Sequence, residues 1–138
     1  MSDPRAFLSF DYDHDVSSKN LFAGQAKSDS PSPFVVEDWS SKSSLPEKEW
    51  EAEIETKIKK CNMLIVLVGK SMSSASGVEK EIVFAKLLSV PTFGVYVDGA
   101  GVDSALPIGL TRNRTIMWTW PNVAGAVDQM MGEGKNKS

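Results

Sequence analysis

Residues 63 to 88 read MLIVLVGKSMSSASGVEKEIVFAKLL, and the change of period inside this stretch decides the fold. MLIVLVG, 63 to 69, is an apolar run without a polar interruption, the pattern of a strand covered on both faces, which is usually central and parallel. From Ser74 to Leu88 the period becomes helical, with Val78, Ile82, Ala85 and Leu88 on one stripe. Ser76 and Glu79 have the S-x-x-E spacing of a capping box, in which each side chain satisfies a free amide of the first turn. Glu81 has no such local task. It lies three residues after Val78 and four before Ala85, so its side chain emerges among the apolar ones. A glutamate at a stripe edge can also simply reach solvent from the first turn, where the helix dipole favours a carboxylate. The stretch alone leaves both placements open.

Working outward, RAFLSF (5–10) reads as a short strand ended by the acidic cluster DYDHD, and a weakly amphipathic helix is expected over about Val16–Ala26. The turn-rich KSDSPSP leads into a second strand, FVVED. The next helix carries the clearest signals: Ser44 and Glu47 as a capping box, Pro46 in the first turn, and Lys59 and Lys60 at the end. Trp50, Ile54, Ile58 and Cys61 share one of its faces. Beyond residue 88 follow the strand TFGVYV, a loop rich in Gly and Asp, the strand TIMWTW with Trp118 and Trp120 as packing residues at its end, and a last helix over about Asn122–Met131. A single domain over 1–131 and a disordered tail, GEGKNKS (132–138), are expected.

Strands and helices alternating in this way imply an α/β fold, a five-stranded parallel sheet of order 2-1-3-4-5 with helices on both faces. Ligands of such sheets bind beyond the carboxyl ends of the strands, where the order reverses between the first and third. That rim comprises Phe10–Asp15, Asp38–Ser44 and Gly69–Gly77, and Glu81 lies just behind it.

Composition removes several function classes. The net charge of −3 gives no attraction to nucleic acid or to an anionic membrane. No run approaches the apolar length of a membrane span and no leader-like segment opens the chain, so a cytoplasmic protein is expected. Cys61 and His14 are the only residues of their types, which excludes an internal disulfide and a Cys/His zinc site and leaves Cys61 as a small core residue. The DYDHD run lacks the glycine and the final acid of an EF-hand loop.

AFLSFDYD at the first strand, FVVEDWS at the second, MLIVLVGKS at the third, and GVEKEIVFAK followed by VPTFGVYV together resemble the TIR-like family of bacterial defence proteins, the Thoeris TIR proteins among them. The resemblance spans about residues 5–97. It implies a flavodoxin-like, three-layer TIR fold and an enzyme that breaks the bond between nicotinamide and ribose in NAD. The ADP-ribosyl unit would then be passed on to make a signal nucleotide that activates an effector protein. NAD would be substrate, with no cofactor and no metal. The family glutamate, usually in W-V-x-x-E-I, corresponds to Glu81 in GVEKEI, with Gly77 in the place of the tryptophan. By the same resemblance Phe10 and Asp11 line the nicotinamide and ribose pocket, and Asp38 and Trp39 begin a loop overhanging it; simple solvation of an acidic loop is an equal reading of Asp11, and a satellite-core anchor is another reading of Trp39. Ser71 can donate to a ribose or phosphate, or cap the helix that follows. Asp13 and Asp15 are read as solvated loop acids. The resemblance admits a second small-molecule acceptor, a phage-derived activator and self-association as a homo-oligomer. A lone carboxylate suits this chemistry, because loss of neutral nicotinamide leaves an oxocarbenium-like ribose that a carboxylate stabilises.

Other readings fit fewer residues. A TIR-like interaction module without catalysis is favoured by Gly77 alone. A D-x-D phosphohydrolase would use Asp11 and Asp13, but position 15 is Asp where Thr or Val is usual and the spacing to a lysine is wrong. A flavodoxin would not place acids where a phosphate must sit, and a two-component receiver would need an aspartate where Gly69 stands.

Overall fold

The computed structural model describes residues 4–10, 16–28, 34–37, 47–70, 76–97 and 99–133. Five strands, β1 (Arg5–Ser9), β2 (Val35–Glu37), β3 (Met63–Val68), β4 (Thr92–Tyr96) and β5 (Thr115–Met117), form one sheet. Its order is β2-β1-β3-β4-β5 and every neighbouring pair is parallel. The helices are α1 (Val16–Ser28), α2 (Glu47–Lys59), α3 (Ser76–Leu87) and α4 (Trp120–Glu133). This is the expected flavodoxin-like architecture.

Alternation along the strands sorts the interior into two halves. Leu64, Val66 and Val68 of β3 join Phe7 of β1 beneath α2 and α3, packing on Ile54, Ile58, Cys61, Val78, Ile82 and Ala85. Met63, Ile65 and Leu67 join Ala6, Leu8 and Phe10 on the other face, against Phe22 and Ala26 of α1 and Val123, Val127 and Met130 of α4. All six residues of β3 are buried, so the uninterrupted apolar run is the physical requirement of a strand with helices on both sides. The reversal of direction at β1 puts α1 on one face and α2 and α3 on the other, as uniformly right-handed crossovers demand.

The expected helix faces hold. Ile54, Ile58 and Cys61 are buried together, and Cys61 is a core residue whose thiol donates to the Lys57 carbonyl at 3.4 Å. The side chain of Trp50, the two capping boxes, Pro46, the loop acids Asp13 and Asp15, and residues 134–138 lie outside the described residues. Leu88 follows the end of α3 in a turn and still packs on the same core.

The last strand is shorter than expected. β5 ends at Met117, and Trp120 opens α4 instead of closing the strand. Thr119 explains the change: its hydroxyl accepts from the Asn122 amide at 3.3 Å and its carbonyl from Val123 at 2.9 Å, an N-cap followed at once by Pro121 in the first turn. Both tryptophans are nevertheless packing residues, stacked around Phe22 with ring centroids 5.5 and 5.1 Å away. Trp120 Nε1 donates to Gln25 Oε1 at 2.8 Å, tying α4 to α1. At its other end α4 runs past Met131 to Glu133, whose carboxylate accepts from Arg114 at 3.1 Å, while Arg114 Nε donates to the Thr92 carbonyl at 2.8 Å.

The loop between β4 and β5 returns to α3 at Gly109. Its φ is +99°, and a Cβ there would stand 2.7 Å from Ile82 Cγ2. Both the backbone angle and the contact call for glycine. Gly109→Ala is expected to cost about 2 kcal/mol or more, from left-handed strain together with the push on α3, seen as a Tm lower by several degrees in calorimetry. Gly125→Ala, in α4 with open space around the position, is expected to raise Tm slightly by removing a helix-interior glycine.

Candidate active site

Period-2 alternation in β1 sends Phe7 and Ser9 toward α2 and α3, and Ser9, the last residue of the strand, pairs with Val66 of β3. The site therefore begins at the carboxyl end of β1, at the reversal point of the sheet. Six residues into α3, the helix stripe brings Glu81 against it. Ser9 is 0% exposed and Glu81 1%, the two buried polar or charged side chains among the described residues. The Ser9 hydroxyl donates to Glu81 Oε1 at 2.5 Å. Glu81 Oε2 has no hydrogen-bond partner among the described residues.

This geometry decides between the two placements that the sequence left open: the glutamate turns inward. A carboxylate so enclosed loses most of its hydration, and burial pushes Glu81 from the ordinary 4.5 up to about 8, with the Ser9 hydrogen bond pulling the other way. One donor does not offset the desolvation. At neutral pH the carboxyl is mainly a neutral acid that can hold or release a proton close to working pH.

Phe10 continues β1 past Ser9 but belongs to the other side of the sheet, 2% exposed, with the Lys19 ammonium 5.7 Å from its ring centroid. Asp11, Asp38, Trp39 and Ser71 lie outside the described residues. Gly77, where the resemblance expects a tryptophan, is half-buried in the first turn of α3. Ser9 was given no role in the sequence reading. Its signal was present, because a serine facing the core of an otherwise apolar strand needs a polar partner.

Surface grooves lined by described residues lie elsewhere. One of about 400 Å³ is lined by Arg5, Thr56, Lys57 and Lys60 near the start of β1, the opposite edge of the sheet. Another, of about 430 Å³, runs along the outer side of α3 past Lys80, Val83, Phe84 and Ile108. Neither is lined by Ser9 or Glu81. Among the described residues no three His, Cys, Asp or Glu side chains gather as metal ligands, and no helix is long and apolar enough to cross a membrane.

The family model for the Thoeris protein ThsB, TIR-like domain, matches residues 7–101, more than half of the chain and all of the segment from Phe7 through Glu81 to the end of β4. The chain belongs to this family. It is a TIR-like protein of antiphage defence, and the Ser9–Glu81 pair lies inside the matched ThsB segment. A comparison with curated proteins gives no match.

The raised carboxyl has a consequence for stability. The folded protein holds the Glu81 proton up to about pH 8, whereas the unfolded chain releases it near 4.5, so stability is lost as pH rises through that window. The loss is about 3 kcal/mol by pH 7. Glu81→Gln is therefore expected to melt close to the wild type at pH 4.5 and several degrees above it at pH 8, measured by calorimetry across the range.

Proposed function

We propose that this ThsB-family domain cleaves the bond between nicotinamide and ribose in NAD, with Glu81 as the catalytic carboxylate, and passes the ADP-ribosyl unit to an acceptor to make a signal nucleotide that activates an effector protein. The observation that carries the reading is a buried carboxyl with one free oxygen at the reversal point of the sheet, on the residue that corresponds to the family glutamate.

The chemistry uses each property of that group. When the C1′–N bond breaks, its electron pair leaves with nicotinamide, neutralising the pyridinium and placing positive charge on the ribose ring. An ionised Glu81 in a dry setting stabilises that charge far more than it would in water. The acceptor, water or a hydroxyl, then attacks C1′ and loses a proton, which a carboxylate with a raised pKa takes up readily. The positive charge of bound NAD favours the ionised form of Glu81 at the moment it is needed. Asp11, Asp38, Trp39 and Ser71, with the backbone rather than the buried side chain of Phe10, are proposed as the surroundings of the substrate, and a phage-derived activator and self-association as means of control.

The decisive experiment compares small molecules from phage-infected cells carrying the wild type or Glu81→Gln by mass spectrometry. Glu81→Gln is expected to lower nicotinamide release and nucleotide production by roughly a thousandfold or more, since the amide keeps the shape without the charge. For the active wild type, kcat/KM is expected to rise with pH toward a plateau above about 8, the free-enzyme value of Glu81. Wild-type levels of both products with Glu81→Gln would sink the proposal. Gly77 in place of the family tryptophan favours a second reading, an interaction module without catalysis, which predicts no nicotinamide release from either form.

A further inference from the structure

Ser9 is a hydroxyl in an interior that has no structural need of one. Its neighbours on the same side of the sheet are Phe7, Leu64, Val66 and Val68, and an alanine would satisfy the strand equally well. A buried hydroxyl without a partner is unfavourable, and the single proton of this one goes to Glu81 Oε1. Three side-chain torsions separate the Glu81 carboxyl from the α3 backbone, whereas only one separates the Ser9 hydroxyl from a strand fixed by its pairing to β3. The rigid partner therefore sets the orientation of the flexible one. Oε1 is held, and Oε2 is left unpartnered.

We propose that Ser9 is a positioning residue, which fixes the Glu81 carboxyl by binding Oε1 and so presents Oε2 to the reacting sugar. This rests on the NAD-cleaving reading of the site, and it adds to it a residue on a different element.

The same bond has an electrostatic effect. Among the described residues, the charged groups nearest Glu81 in the chain and on the neighbouring strands are directed elsewhere. Lys80 of α3 donates to Glu51 of α2 at 3.0 Å, and Glu79 borders the outer groove beside them. Lys86 approaches Gly109, Lys70 at the end of β3 approaches Gly99, and the Tyr96 hydroxyl of β4 accepts from Arg112 at 3.2 Å. Among the described residues, the Ser9 hydroxyl is thus the group that favours ionised Glu81 against burial. Removing it takes that opposition away.

The test is the titration of the Glu81 carboxyl carbon by NMR in the wild type, Ser9→Ala and Ser9→Thr, with nicotinamide release measured across pH on the same proteins. Ser9→Ala is expected to move the Glu81 midpoint upward by about one pH unit or more and to carry the rising limb of kcat/KM with it. In the same variant kcat should fall roughly ten- to a hundredfold with KM little changed, as for a group that aligns the reacting atoms. Ser9→Thr, which keeps the hydroxyl, is expected to restore the midpoint and most of kcat. Should Ser9→Ala fail to fold, Ser9→Cys, a weaker donor of similar size, is expected to show the same upward shift. An unchanged Glu81 midpoint in the folded variant lacking the hydroxyl would overturn the proposal. If the wild type releases no nicotinamide while the midpoint still moves, the proposed chemistry falls and the Ser9 hold on Glu81 stands.

Discussion

Taking a carboxyl group out of water is one of the most unfavourable things a small domain can do, and this fold does it once among its described residues, at Glu81. Its surroundings are conditioned by that choice. β3 runs between helix layers on both faces and tolerates only apolar side chains, so the polar counterpart must come from the neighbouring strand, at the point where β1 ends and the sheet reverses. Ser9 supplies one hydrogen bond where a well-solvated carboxylate would have several. The resulting imbalance keeps the proton on Glu81 to about pH 8 and leaves one oxygen without a partner. A scaffold built only for stability would have placed an apolar residue at each of these positions.

Much of this was legible in the chain because it follows from periodicity. MLIVLVG could only be a doubly covered strand, and the stripe of Val78, Ile82 and Ala85 fixed which side of α3 faces inward, carrying Glu81 with it. The sequence could not say whether the glutamate would bend out to solvent, because that depends on what covers the helix. The serine in RAFLSF signals a need for a polar partner, but which partner it meets follows only from the packing of α3 on the side that Ser9 shares with Phe7. The misreading of TIMWTW has a different cause. Alternating aromatic and branched residues favour a strand by propensity, but Thr119 caps a helix and Pro121 cannot donate to a ladder, and these local hydrogen-bonding facts override propensity.

The two faces of the sheet divide the labour. On the α2/α3 side lie the carboxyl, the serine and the glycine contact that holds α3 in place. On the α1/α4 side lies an aromatic cluster with no buried charge among the described residues, joined across the helices by the Trp120–Gln25 hydrogen bond. The ThsB match ends at residue 101, yet β5 and α4 beyond it complete the sheet edge and close that aromatic half. Among the described residues this closing segment packs on the face of the sheet opposite Glu81.

That division also determines what light can report. Trp118 and Trp120 are packed within 6.4 Å of one another and next to Phe22, all on the face remote from Glu81. Their emission is a built-in gauge of whether α1 and α4 are docked on the sheet, and it is blind to proton movement at the carboxyl across β3. With Trp39 and Trp50, the other two tryptophans of the chain, replaced by phenylalanine, a fluorescence melt and a carboxyl titration of this domain look at opposite sides of one sheet, and agreement between them measures how tightly the two sides are coupled.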